Sequence, residues 1–457
     1  MAHNKNINPS SRISLTYMLA LCLPVTVACV DVMAVSVALS QIMNDLSSTL
    51  YATQWLLSGY TIGTAAFLIT IGRLADIYGR KQLLIIGICL FAFSSLVAAL
   101  SLGIYCLMAS RFVQGVASSI MMTTVMSIIT NEFSPRNRGR VIATYGFFLG
   151  LGLASGPAVG GLLISYFNWR AIFLVNLPIC MLSLWLVMNY LPKSSRSGNY
   201  QRVDWLETTV LTLLLLAAVI MISQGSMIDW QSPLMIALCI VFVLLLVLFI
   251  KLEKNKPDPM VDISLFMQPN YLGATICGLL SYFCMYAWLC VIGLYLQNID
   301  HYTALKTGLI CTPFSLAFAF SSKALSGLIN RYANKTLMQI GFIVIIIALG
   351  WMANITPLTN QFLLLIEFFL FGVGITIVNA PSMIAATEHV PLDKAGIASG
   401  LIFTIRWLGG SVGIVIVSFF YHRYSESLFY PCMVMLLAAL TGLLMTLTLS
   451  KSRVSYE

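Results

Sequence analysis

The sequence predicts an all-α polytopic membrane protein, and three observations carry that prediction. Of 457 residues, 59% are hydrophobic and the mean hydropathy is +0.91, more apolar surface than a soluble domain can hide. The apolar residues run in stretches of about twenty, enough helix to cross a hydrocarbon core of about 30 Å. Charged residues make up only 9% of the chain and gather in short loops between those stretches. The net charge of +9 therefore reads as membrane topology, with the lipid bilayer and not a nucleic acid as the partner.

Windows of about nineteen residues give fourteen spans. The first covers 15–39. Its "SVALS" resembles a weak signal-peptide cleavage site, but its length and the Asp31 inside it favour a retained helix. Spans two and three, 53–72 and 83–101, flank "GRLADIYGRK" (72–81), which packs Arg73, Asp76, Arg80 and Lys81 into ten positions. Span four, 105–129, holds Arg111. Span five, 140–166, brings Gly152, Gly156 and Gly160 to one helix face, beside Gly161 and Pro157. Small residues at that spacing let helices approach closely, and the proline permits a bend. Span six is 170–190, and spans seven and eight are 206–224 and 232–250. The last six are 271–295, 305–326, 337–353, 361–382, 396–419 and 429–449.

Cationic residues test this topology. With the amino terminus in the cytoplasm, nineteen of the 25 Lys and Arg fall on the inner side, and Arg170, Lys306 and Arg423 on the outer side. Arg111, Lys323 and Arg406 lie within spans. Both termini are then expected in the cytoplasm.

The loop at 72–81 has an echo. "SGLINRYANK" (326–335) aligns with it at an offset of 254, matching Leu74 with Leu328, Tyr78 with Tyr332 and Lys81 with Lys335. The same offset brings the Gly-rich fifth span over "LGGSVG" (408–413). The expected organisation is a six-helix bundle over 1–192, two additional helices over 193–260 and a second six-helix bundle over 261–457. Such duplication is typical of secondary transporters.

At these residues the chain resembles the major facilitator superfamily, and within it the fourteen-span drug:proton antiporters. "GRLADIYGRK" is similar to the superfamily's signature loop through Gly72, Asp76, Gly79, Arg80 and Lys81. "RFVQG" (111–115) is similar to its fourth-span motif, "GLGLASGPAVGG" (150–161) to the fifth-span motif of exporters, and "WRAIFLVNLP" (169–178) to the opening of the sixth span. In the first span Asp31 and Ala38-Leu39 fit, whereas Met33, Ser36 and Ser40 depart from the group's pattern. The resemblance implies a monomer in a bacterial inner membrane, driven by the proton gradient without a cofactor. It also implies that the fifth span helps seal one side of the cavity. Asp76 would latch the halves by pairing with the amino end of span thirteen near Ala395; the echo has Asn330 there.

The chemistry is sought among ionised groups inside the bilayer, each costing about 2.5–3.5 kcal/mol on insertion scales. Asp31 lies about sixteen residues into an outward-running helix, and Arg111 and Glu367 about six residues into inward-running ones, which places all three at a similar depth. A carboxylate whose proton affinity depends on a nearby guanidinium or cationic substrate is what antiport needs. The alternatives are a structural pair for Asp31 and Arg111, and an interfacial acid for Glu367. The roles of Lys323 and Arg406 stay open.

Trp55, Tyr60, Tyr282, Tyr286 and Trp288 would suit hydrophobic or cationic molecules if they face the cavity. Cationic drugs are the first expectation for the small-molecule substrate, with an exported metabolite such as a siderophore or amino-acid derivative second and a solute:proton importer third. The eleven cysteines have no CxxC spacing and read as small packing residues. No P-loop, HExxH or GxSxG motif appears, and the loops are too short for a catalytic domain, so an enzyme is not expected.

Overall fold

The computed structural model describes residues 15–133, 135–192, 205–224, 231–254, 263–329, 331–356, 359–388, 390, 395–424 and 427–450. These residues form α1 (Leu15–Asp45), α2 (Leu50–Tyr78), α3 (Arg80–Ala99), α4 (Ile104–Glu132), α5 (Pro135–Tyr166), α6 (Arg170–Tyr190), α7 (Trp205–Gln224) and α8 (Pro233–Glu253). They continue with a single turn, α9 (Ile263–Phe266), then α10 (Pro269–Asn298), α11 (Ala304–Ile329), α12 (Asn334–Met352), α13 (Gln361–Thr387), α14 (Ala395–Arg423) and α15 (Phe429–Met445). No strand occurs among the described residues. Helices are the expected solution, because a lipid interior offers the backbone no other hydrogen-bond partners.

Among the described residues, twelve helices are long and apolar enough to cross a membrane, and α7 adds a shorter apolar stretch, Trp205–Ala218. The chain is thus a multi-pass membrane protein. Several helices outrun the spans expected from hydropathy: α1 continues to Asp45 and α2 begins at Leu50. Helical hydrogen bonding does not stop where the apolar run stops.

Local sequence sets the helix ends. Thr49 caps α2 by accepting from the Ala52 amide at 3.2 Å, and Ser232 caps α8 from Met235 at 3.3 Å, ahead of Pro233. Gly79 alone joins α2 to α3, at φ +94°. A side chain there would be strained, so this glycine permits the one-residue turn.

Within the first half, α1 packs on α5 and α6, α4 on α2 and α3, and α3 on α6. The second half repeats this pattern: α10 packs on α14 and α15, α13 on α11 and α12, and α12 on α15. Lys81 and Lys335 repeat too. The Lys81 ammonium donates to the carbonyls of Met188 and Leu191 at the end of α6, at 2.9 and 2.6 Å. The Lys335 ammonium donates to Leu447 and Leu449 beyond α15, at 3.0 and 2.8 Å. Each lysine thereby satisfies carbonyls left over at a helix end.

The halves meet along two seams, α5 on α11 and α2 on α14. α7 pairs with α8 and touches both α2 and α14, and the hydroxyls of Thr70 and Thr212 join α2 to α7 at 2.7 Å.

Candidate functional site

The fifth-span glycines serve a close approach. A β-carbon on Gly152 would lie 2.7 Å from the Thr26 carbonyl oxygen, one on Gly156 2.8 Å from that of Val30, and one on Gly160 2.8 Å from the Ala34 α-carbon. α1 and α5 therefore touch backbone to backbone. Pro157 faces the other way: a β-carbon on Gly308 of α11 would lie 2.7 Å from its carbonyl oxygen. Gly161 is buried on the same helix. The motif thus serves one contact within a half and one between halves.

That approach leaves Asp31 enclosed. Its carboxylate pairs with the Arg111 guanidinium of α4, and both side chains are fully buried. The Asn176 amide of α6 donates to the other carboxylate oxygen at 2.7 Å. Arg111 also donates to Gln114 at 2.8 Å and, through Nε, to the Leu56 carbonyl at 3.1 Å. Gln114 in turn donates to Ser95 at 2.7 Å. Tyr60 and Phe173 cover the guanidinium, with ring centres 4.6 and 5.9 Å away. Among the described residues, Arg111 Nη2 has no hydrogen-bond partner. The Arg111 guanidinium and the Asn176 amide thus engage both carboxylate oxygens of Asp31.

The sequence pointed to Asp31 and Arg111 but not to their partners. Gln114 stands three residues after Arg111, on the same helix face, inside "RFVQG"; Asn176 stands inside "WRAIFLVNLP". Those two motifs held the missing signal.

Glu367 does not join this group. It lies on α13 in the other half, almost wholly buried, and neither carboxylate oxygen has a hydrogen-bond partner among the described residues. Cys432 of α15 lies near it.

Three of the five aromatic candidates lie on α10, and they separate. Trp288 is fully buried against Phe314, Phe368 and Phe371, with ring centres 4.7, 4.9 and 5.3 Å away, so it is a packing residue and not a cavity wall. Tyr286 is buried against Trp407 at 5.3 Å and against Gly410. Tyr282 alone is half-buried. It lies near Cys29 of α1 and Tyr145 of α5, where the halves face each other.

Gly72 lies against Thr123 of α4. The expected Asp76 latch falls outside the described residues, as do the side chains of Ala395 and Lys323 and the whole of Asn330. At the far end of α1, the Trp169 indole donates to Asp45 at 2.9 Å and the Arg170 guanidinium at 3.0 Å. These two bonds hold the Asp45 carboxyl below the usual carboxylate range. Among the described residues no group of His, Cys, Asp and Glu could hold a metal ion.

Known proteins share this architecture. The chain is 30% identical over 390 residues to "Multidrug resistance protein Stp" of Mycobacterium tuberculosis (strain CDC 1551 / Oshkosh), covering 85% of this chain and 72% of that protein. It is 26% identical over 417 residues to "Riboflavin transporter RibZ" of Clostridioides difficile (strain 630), covering 90% and 89%. The crystal structure of the human organic anion transporter MFSD10 (TETRAN) superposes with a TM-score of 0.66 at 13% identity, over 95% of this chain and all of that one, a likeness of fold alone. Residues 21–414 match the Major Facilitator Superfamily. The paired halves, the buried charges between apolar helices and this match together show that the chain belongs to the Major Facilitator Superfamily and is a transporter, not an enzyme.

Proposed function

We propose that the protein exports hydrophobic or cationic small molecules in exchange for protons, by alternating access. The observation that carries this reading is the buried Asp31–Arg111 pair with its Asn176 and Gln114 partners. A proton reaching Asp31 frees Arg111 from its counter-charge, and the local packing must answer. Glu367 is the second acid of the scheme, its oxygens free to take a proton or a cationic group. Each charge moved across 100 mV is worth about 2.3 kcal/mol, so the proton gradient supplies the drive without a cofactor.

On this reading fourteen helices span a bacterial inner membrane, with both termini in the cytoplasm. Bundles over 1–192 and 261–457 flank the additional pair over 193–260, and one copy of the chain works as a monomer. Asp76, with Gly72, Gly79, Arg80 and Lys81, latches one state of the cycle. The relative named for multidrug resistance supports drug export. The riboflavin transporter among the relatives supports a second reading, export of an aromatic metabolite on the same machinery.

Everted membrane vesicles test the proposal. Energised vesicles carrying the protein should acidify and then lose part of the pH gradient when a transported drug is added. No gradient response to any of a broad drug and metabolite panel would count against antiport.

A further inference from the structure

Arg406 of α14 is 4% exposed and belongs to no ion pair among the described residues. Its Nη2 donates to the Asn379 carbonyl at 3.2 Å and the Ser382 hydroxyl at 2.8 Å, both on α13, while its Nε has no partner. The sequence makes room for it. Gly278 of α10 has no side chain where one would collide, since a β-carbon there would lie 2.6 Å from Nε. The guanidinium sits 5.7 Å from the ring centre of Tyr282, the aromatic that faces the other half. Asn379 is held in turn by Ser281 at 3.2 Å.

A guanidinium keeps its charge in proteins, and a buried charge left without a counter-charge is strongly unfavourable. Arg111 meets this demand with Asp31; Arg406 meets it with neutral oxygens only. Glu367 does not reach it. Asn379 and Ser382 lie twelve and fifteen residues further along α13, about 18 to 22 Å at helical rise. The centre between the halves is therefore electropositive at this level.

Resting on the second reading above, export of an aromatic metabolite, we infer that Arg406, with Tyr282 and Ser382, is the recognition site for a carboxylate on the transported molecule. The substrate class is an aromatic or apolar body bearing one carboxylate. The acid would accept from the guanidinium, and Tyr282 would stack on the body.

Binding to the purified full-length protein in detergent tests this without any gradient, so failure of proton coupling would leave the result untouched. The probes are 1-naphthylacetate, the neutral 1-naphthylacetamide and the cationic 1-naphthylmethylamine, read by calorimetry. The acid is expected to bind at least about tenfold more tightly than either companion, the size of one charge-assisted contact. Arg406→Gln should erase that preference, whereas Arg406→Lys should keep its direction with weaker binding. Equal binding of the three, preference for the amine, or no binding of the acid to the wild-type protein would overturn the inference, and these wild-type outcomes stand whether or not a variant folds.

Discussion

Trp288 on α10 occupies the place in the second half that Asp31 occupies on α1 in the first. Asp31 lies among Tyr60, Arg111 and Gln114; Trp288 lies among Phe314, Phe368 and Phe371, at separations of 254 to 257 residues. One half is centred on charge and hydrogen bonds, the other on stacked rings. The repeat of the backbone is thus not a repeat of the chemistry.

Asp31→Asn is expected to abolish gradient-driven efflux while the protein is still inserted in the membrane. Breaking a buried pair from one side costs about 3–5 kcal/mol, so the variant should also melt earlier. The double variant Asp31→Asn/Arg111→Gln removes both charges and should recover much of the melting temperature without recovering transport. Wild-type efflux in the double variant would reduce the pair to a structural role.

Trp288→Ala should destabilise by about 3–5 kcal/mol, as large-to-small changes of buried aromatics do, whereas Trp288→Phe should be tolerated. Substrate affinity should not shift in the phenylalanine variant. A changed affinity at unchanged stability would return Trp288 to the cavity wall.

Gly156→Ala would press a methyl group against Val30 and Met33. It should lower stability by about 1–3 kcal/mol, the range for overpacked sites. Gly308→Ala acts at the boundary between halves, at Pro157. It should slow transport more than it lowers the melting temperature, as a comparison of flux and thermal unfolding would reveal.

Asp45 gives a pH test. Its carboxyl is lowered chiefly by the Trp169 hydrogen bond and then by Arg170. A group lowered on folding contributes stability that is fully present above its unfolded value of about 3.9 and lost as pH falls through the folded value. Asp45→Asn should therefore melt earlier than wild type at neutral pH, and the two should converge below about pH 4. A difference that grows on acidification would rule out this account.

The sequence could reveal the helices, the duplicated loop and the charges worth attention, because apolar run length and lysine and arginine placement are read one position at a time. Lys81 and Lys335 were found that way, and their shared role at helix ends follows from the fold. What was not legible is which side of each helix meets which neighbour. In spans apolar all round, periodicity does not separate an inward face from a lipid face, so Trp288 and Tyr282 looked alike. Gln114 and Asn176 stayed hidden because their value depends on Asp31, which stands on another helix. Equal depth puts Glu367 at the level of Asp31, but it does not set direction around the bundle.

α7 lies against both α2 and α14, and among the described residues the α7–α8 pair packs on neither α5 nor α11. The two flanks of the molecule therefore offer the bilayer different access. Acyl chains, and amphiphiles dissolved among them, are screened from the α2–α14 flank by a helix that any separation of α2 from α14 must slide past. At the α5–α11 flank the halves touch directly, with the Pro157 carbonyl where a side chain at Gly308 would stand. An opening movement at the α2–α14 flank must therefore carry or slip past α7, whereas one at the α5–α11 flank parts two helices that touch directly.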